Sequence, residues 1–311
     1  AENIYIVTNE IYTSLVHEQL PEISKEQILG EPMRRNTAPC IAYANFKILK
    51  KNPDARIVVA PSDHLIINET EFLKVISEGL NFVKSDNILL TLGIEPSRPD
   101  TGYGYIQINK EIKVDSDNGS IQKVKTFTEK PDLELAKVFL SSGEFFWNSG
   151  IFIWSLKSIF KAFETHLPDV NNLFLDGLDL LNTSKEKEFI NTTYSNCKSI
   201  SIDYGVMEKA DNVFVYCADF GWSDLGTWGS LYEHSKKDDD GNAIKANKHQ
   251  LYNTKNCILQ SINGKLMVVQ GLEDYIVVDT KDVLLICKKQ DEQHIRKFVN
   301  DVSLNFGEEF T

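Results

Sequence analysis

The sequence predicts an α/β fold, a mixed sheet flanked by helices, followed by a small all-β appendage, and three observations carry that prediction. Strand-like and helix-like stretches alternate through the first part of the chain, the pattern of βαβ units. Within that part RIVVAPSDHL, Arg56 to Leu65, passes from uninterrupted apolar residues straight into a turn and a carboxylate. A strand that is apolar throughout is covered on both faces, and ligands of open α/β sheets collect beyond the carboxyl ends of such strands. After Gly241 the pattern changes to short strands spaced by turn residues, the signature of a small all-β unit. At 311 residues the chain is long enough for both parts.

Taken in order, Asn3 to Asn9 reads as a strand, Ile11 to Leu20 as a helix and Gln27 to Glu31 as a short strand before the polar turn Pro32 to Thr37. A helix from Ala38 to Lys50 follows with Thr37 as its N-cap, then the Ile57 strand, a helix from Glu69 to Lys84 and the strand Ile88 to Gly93. This alternation implies parallel strands joined by right-handed crossovers. YGYIQI and IQKVKTF, separated by the polar Asp115 to Gly119 turn, suggest an antiparallel excursion, and Leu133 to Leu140 and Leu156 to Phe163 read as helices. NCILQSI, KLMVVQG, YIVVDT and VLLICKK are the short strands of the appendage, closed by a helix from Gln290 to Asn300. The charged turn Lys236 to Gly241 marks the boundary, giving domains 1–237 and 238–311. Tyr43, Phe46 and Leu49 fall at helical spacing, as a core stripe does.

Composition excludes several classes of function. Lys and Arg number 33 against 45 Asp and Glu, a net charge of −12, so no general affinity for nucleic acid or an anionic membrane surface is expected. Anionic substrates would need locally placed cations. Five widely spaced cysteines (Cys40, Cys197, Cys217, Cys257 and Cys287) contain no CxxC pair, which argues against a zinc site or a disulfide framework and fits a reducing cytoplasm. No apolar run has membrane-spanning length.

Several stretches end an apolar strand abruptly on polar or glycine residues. In RPDTGYGY the glycines admit close backbone approach to a ligand or make a hairpin turn. In FTEKP, Glu129 suits sugar hydroxyls and Lys130 a phosphate, or the two form a surface ion pair. Asn148, inside an aromatic run, needs a backbone or ligand partner because an unpaired buried amide is costly. Asp63 and Asp224 are hard oxygen ligands of the kind that hold Mg²⁺ beside phosphates. The competing reading makes Ser62 or Asp63, and Ser223 or Asp224, the caps of the helices that follow. His64 reads as structural, and Asp238-Asp-Asp-Gly241 as a solvated turn rather than a calcium loop.

EPMRRNTAP, VVAPSDH, TGYGYI, FTEKP, WNSGIFIW, SIDYGVMEK and FGWSDLGTW, in this order and spacing, resemble the mannose-1-phosphate guanylyltransferases among the sugar-nucleotide nucleotidyltransferases. The likeness spans roughly residues 1 to 235 and continues into the appendage. It implies a Rossmann-like, GT-A-like catalytic domain with a β-helix-like C-terminal part, and Mg²⁺-dependent conversion of GTP and mannose 1-phosphate to GDP-mannose and pyrophosphate. On this resemblance Asp63 and Asp224 hold the metal, Glu129, Asn148 and the Gly104 backbone hold mannose, and Lys130 holds the sugar phosphate. Glu31, Arg35 and Asn36 lie around guanine, and Asp203 and Lys209 support the sugar side. The family's opening GGxGxRLxP…PK loop, which cradles the triphosphate, has no match here, so the chain is expected to lack its natural N-terminus and to be nearly inactive as written. A homodimer is compatible with the resemblance. Another sugar-1-phosphate nucleotidyltransferase and a non-catalytic sugar-nucleotide-binding protein are the competing readings.

Overall fold

A computed structural model describes residues 2–84, 87–112, 114, 120–262 and 264–310; the Asp115 to Gly119 turn lies outside them. The strands of the first part are β1 (Ile6–Asn9), β2 (Ile28–Glu31), β3 (Arg56–Val59), β4 (Leu65–Ile66), β5 (Leu89–Ile94), β6 (Tyr105–Asn109), β7 (Ile121–Thr128), β8 (Phe145–Ser155) and β9 (Val213–Cys217). Among them run the helices α1 (Thr13–Gln19), α2 (Thr37–Lys51), α3 (Glu69–Phe82), α4 (Leu133–Ser142), α5 (Leu156–His166), α6 (Pro168–Leu175) and α7 (Glu186–Asn196). Then come β10 (Trp222–Ser223), α8 (Trp228–His234), the strands β11 (Ala243–Lys245), β12 (Lys248–Tyr252), β13 (Ile258–Ser261), β14 (Leu266–Gln270), β15 (Tyr275–Asp279) and β16 (Leu284–Lys288), and α9 (Ile295–Phe306). Two compact units result: Ala1–Ser62 with Asn68–Phe220, and Asp63–Ile67 with Gly221–Thr311.

The first unit is built on a six-stranded sheet ordered β3-β8-β5-β9-β7-β6. All six residues of β5 are buried, as LLTLGI requires of a central strand. β3 and β5 point the same way and β5 pairs parallel with β9, but β8 inserts antiparallel between β3 and β5. The sheet is therefore the mixed one predicted, with β8 set antiparallel between two strands that run the same way. β8 is long enough, at 11 residues, to pair with β6 through Phe145–Trp147 and with β3 through Phe152–Ser155. It turns between these partners at Asn-Ser-Gly, where Gly150 has φ 71°, a backbone region that costs glycine nothing. β1 and β2 form a separate parallel pair.

α2 buries Ala38, Ile41, Ala42 and Phe46 on one face, together with Tyr43, against the core, while Leu49 is partly buried on it. Its N-cap is Asn36 rather than the expected Thr37: the Asn36 side chain accepts the Thr37 N–H at 2.9 Å. The Thr37 hydroxyl accepts instead from the Ile202 N–H at 2.8 Å, tying the start of the helix to the segment beyond α7. α3 and α5 are capped by Asn68 and Ser155.

In the second unit β4 pairs antiparallel with β10. β11, β13 and β15 stack in parallel, as do β12 and β14, so successive turns of chain repeat the same rung in the manner of a β-helix. Cys257, Leu259, Val269 and Val277 fill the interior. Asn242 is buried and fully used: its amide donates to Asp238 Oδ2 and the Thr254 carbonyl, and its oxygen accepts the Cys257 N–H. Asp238 in turn accepts the N–H groups of Asp240 and Asn242, which makes Asp238–Gly241 a self-bonded turn. The closing helix begins as a 3-10 turn at Lys289–His294 and extends to Phe306, beyond its expected end. Among the described residues no helix is long and apolar enough to cross a membrane. All five cysteines are free.

Candidate functional site

Within the first unit, residues from four of the motifs, joined by Thr91 of β5, converge on Asn148 in the interior of β8. Asn148 donates from Nδ2 to Asp203 Oδ1 at 2.9 Å and accepts at Oδ1 from the Thr91 hydroxyl at 3.1 Å and the Gly150 N–H at 3.2 Å. Its own N–H donates to the Gly104 carbonyl at 2.8 Å. A Cβ on Gly104 would overlap Glu129 Oε2 and stand 3.4 Å from Asn148 Cβ, so any side chain there would displace the Glu129 carboxylate. The RPDTGYGY stretch is thus packed into the cluster and is not a hairpin. Asp100, itself buried, holds that stretch by accepting from Arg98 and from the Gly102 N–H. The Arg98 guanidinium lies 5.2 Å from the Trp147 ring centre, a cation–π contact.

Glu129 pairs with Lys130 at 3.1 Å, but the pair is asymmetric: the Glu129 side chain is 10% exposed and that of Lys130 is 51% exposed. Lys130 sits at φ 49°, a backbone region uncommon for a residue with a side chain. Burial raises the Glu129 carboxyl, helped by the nearby Asp203 and opposed by Lys130; burial likewise raises Asp203. Asp203 opens a π-helical turn, Asp203–Met207, whose end presents Glu208 Oε1 to the Glu129 N–H at 3.3 Å, while Lys209 is exposed on the residue that follows. The arrangement offers carboxylate, amide and backbone acceptors to a polyol beside the exposed Lys130 ammonium. Thr91 and Glu208 escaped the sequence reading; Thr91 could have been flagged as the single polar side chain in LLTLGI.

A second constellation in the same unit gathers the EPMRRNTAP residues. The Tyr194 hydroxyl donates to Glu31 Oε1 at 2.9 Å, and Arg35 donates from Nε to the Tyr194 carbonyl at 2.8 Å and from Nη2 to the Ser195 carbonyl at 3.3 Å. Asn36, exposed, spends its side-chain oxygen on the helix cap. The Glu31 carboxyl is raised by burial, against which the Tyr194 bond works.

In the second unit the register Ser223↔Leu65 and Trp222↔Ile66 brings Asp63 and Asp224 to one end of the β4–β10 ribbon. Both carboxylates act on His64, whose ring burial lowers and the two acids push back up. His64 Nδ1 accepts from Trp222 Nε1 at 3.0 Å, with the rings edge-on, so the histidine staples the ribbon and is structural as expected. Neither aspartate caps a helix: α3 is capped by Asn68 and α8 by Thr227, which removes the capping explanation for both. Asp224 Oδ1 accepts the Gly226 N–H at 2.9 Å. Two hard carboxylates on adjacent strand ends suit a divalent cation that takes its other ligands from water and phosphate.

Residues 1–241 match the nucleotidyl transferase family profile. The chain belongs to the nucleotidyl transferase family. Residues 248–302 match the MannoseP isomerase/GMP-like beta-helix domain, in agreement with the parallel rungs of the second unit. Among curated nucleotidyl transferases, the mannose-1-phosphate guanylyltransferase of Salmonella montevideo is 36% identical over 98% of this chain and 64% of its own length. That of Escherichia coli is 34% identical over 96% of the chain and 65% of its own length. The chain thus spans about two thirds of these relatives. A crystal structure titled mannose-1-phosphate geranyltransferase, from Thermus thermophilus, superposes with TM-score 0.79 and 25% identity, covering 96% of this chain and 83% of that one.

Proposed function

We propose that this nucleotidyl transferase, at its natural length, joins GTP and mannose 1-phosphate to give GDP-mannose and pyrophosphate, with Mg²⁺ as cofactor. The observation that carries the reading is the cluster of Glu129, Asn148, Asp203 and the Gly104 backbone beside Lys130, supported by the guanylyltransferase names of the relatives. Glu129 and Asn148, with the Gly104 carbonyl close by, engage sugar hydroxyls; Asp203 orients the Asn148 amide, and Lys209 supports the same side. Lys130 holds the sugar phosphate. A phosphate oxygen of the sugar attacks the α-phosphorus, the bond to the β-phosphate breaks, and pyrophosphate leaves with the electron pair. No covalent enzyme intermediate is needed, so positioning and neutralisation suffice. Glu31, Arg35 and Asn36 take the guanine. Asp63 and Asp224 would hold Mg²⁺, which when bound neutralises phosphate charge.

In this reading residues 1–237 carry catalysis and 238–311 form the β-rich domain, and the protein works in the cytoplasm. The test is pyrophosphate release by the protein at full natural length with mannose 1-phosphate and a panel of GTP, UTP and dTTP. GTP should be used preferentially; equal or faster turnover with UTP sinks the guanine assignment.

A further inference from the structure

Tyr194 is the residue through which Glu31 and Arg35 of the EPMRRNTAP constellation are joined. Its ring is fully buried, edge-on to Tyr43 at 6.4 Å and to Phe174 at 6.1 Å. Its hydroxyl reaches Glu31, and its backbone carbonyl receives Arg35. Its helix is fixed in turn, because Glu186 at the start of α7 accepts from Tyr43 and from Lys47 on α2. Neither the phenol nor the carbonyl can shift without moving a charged side chain.

Guanine offers two adjacent donors, N1–H and the 2-amino group, beside the acceptors O6 and N7. An ionised carboxylate can accept both donors, and a guanidinium that has spent two of its five N–H groups on carbonyls keeps three for acceptors. We infer that Tyr194 is a positioning residue that makes the Glu31–Arg35 pair selective for guanine by fixing the two side chains at one spacing. The inference rests on the assignment of Glu31 and Arg35 to the base, and it extends that assignment to a residue that touches no substrate.

Charge adds a second consequence. Glu31 must be ionised to accept two donors, and burial opposes ionisation while the Tyr194 bond favours it. Burial, with Glu31 beside it, pushes the Cys40 thiol up to about 12, and burial together with Glu31 raises the Tyr194 phenol, so neither adds a negative charge beside this carboxylate. Tyr43, next to Tyr194, is raised by burial and by Glu186. Activity that needs the Glu31 carboxylate is present above its folded pKa and lost as pH falls through it, so removing the phenol should move that limb to higher pH.

The experiment compares GTP with ITP, which lacks only the 2-amino group, across about pH 5 to about pH 9 for wild type, Tyr194→Phe and Glu31→Gln. In Tyr194→Phe the GTP/ITP ratio of kcat/KM should fall roughly tenfold, carried by KM rather than kcat, with the acid limb displaced upward. Glu31→Gln should narrow the same ratio and abolish that limb. Equal losses with both nucleotides and an unmoved limb would make Tyr194 a packing residue only and overturn the inference. Should Tyr194→Phe fail to fold, Glu31→Gln decides, and a wild-type ratio and limb in that variant overturn it. A wild type that prefers UTP or dTTP instead removes the guanine reading itself, and the inference with it.

Discussion

Asp63 and Asp224 have lost the explanation that competed with metal binding, since other residues cap the two helices that follow them. Replacing either by Asn keeps the shape, and in Asp224→Asn the amide oxygen could still accept the Gly226 N–H. Turnover should nevertheless fall by roughly 10² to 10³, the scale of one lost preorganised electrostatic contact, with little change in melting temperature. The double variant should be hardly worse than the poorer single one, as for residues acting as a unit, and added Mg²⁺ or Mn²⁺ should restore part of the rate. Losses that multiply, without metal rescue, would show that the carboxylates act separately. These two residues stood out in the sequence because each follows closely on an apolar or aromatic stretch, a local signal. Tyr194 was not, because its importance lies in contacts that reach as far as Glu31, 163 positions away in the chain.

At the scale of elements, periodicity and burial made most helices and strands readable, whereas pairing did not. Nothing local in FFWNSGIFIW tells that one strand serves β6 with one half and β3 with the other. Asn36 and Thr37 are both good cap residues, and the choice between them is made by the distant Ile202 N–H that occupies the Thr37 hydroxyl. The clamp between α2 and α7 is another long-range feature. Lys47 and Glu186 meet at 2.8 Å with side chains 9% and 17% exposed, and Glu186 also accepts from Tyr43 and the Asn182 N–H. Burial would raise the Glu186 carboxyl, but these bonds win and hold it below its ordinary value. Glu186→Ala strands a buried ammonium and should cost about 3 kcal/mol in urea unfolding near neutral pH. Because the folded carboxyl is depressed, its contribution exists above the unfolded carboxylate range and fades as pH falls through the folded value. The gap between wild type and Glu186→Ala should therefore shrink on acidification; a gap independent of pH would mean the loss is one of packing.

For the whole molecule, the net charge of −12 sets a problem for the chemistry proposed, since both substrates are anions. The summed field repels them, and only local cations reverse it, such as Lys130 at the rim of the sugar cluster. The two effects have opposite salt dependences. Screening weakens the pull of Lys130, but it also relieves the repulsion of the distant acids, and it acts most on charges farther apart than the Debye length, about 10 Å at 0.1 M salt and about 3 Å at 1 M. In the wild type the two changes offset, so kcat/KM for mannose 1-phosphate should vary little with ionic strength. In Lys130→Gln the repulsion outweighs the attraction that is left: kcat/KM should start lower at low salt and rise as KCl is added. Parallel salt curves for the two proteins would show that another cation supplies the local attraction, and would take the sugar phosphate away from Lys130.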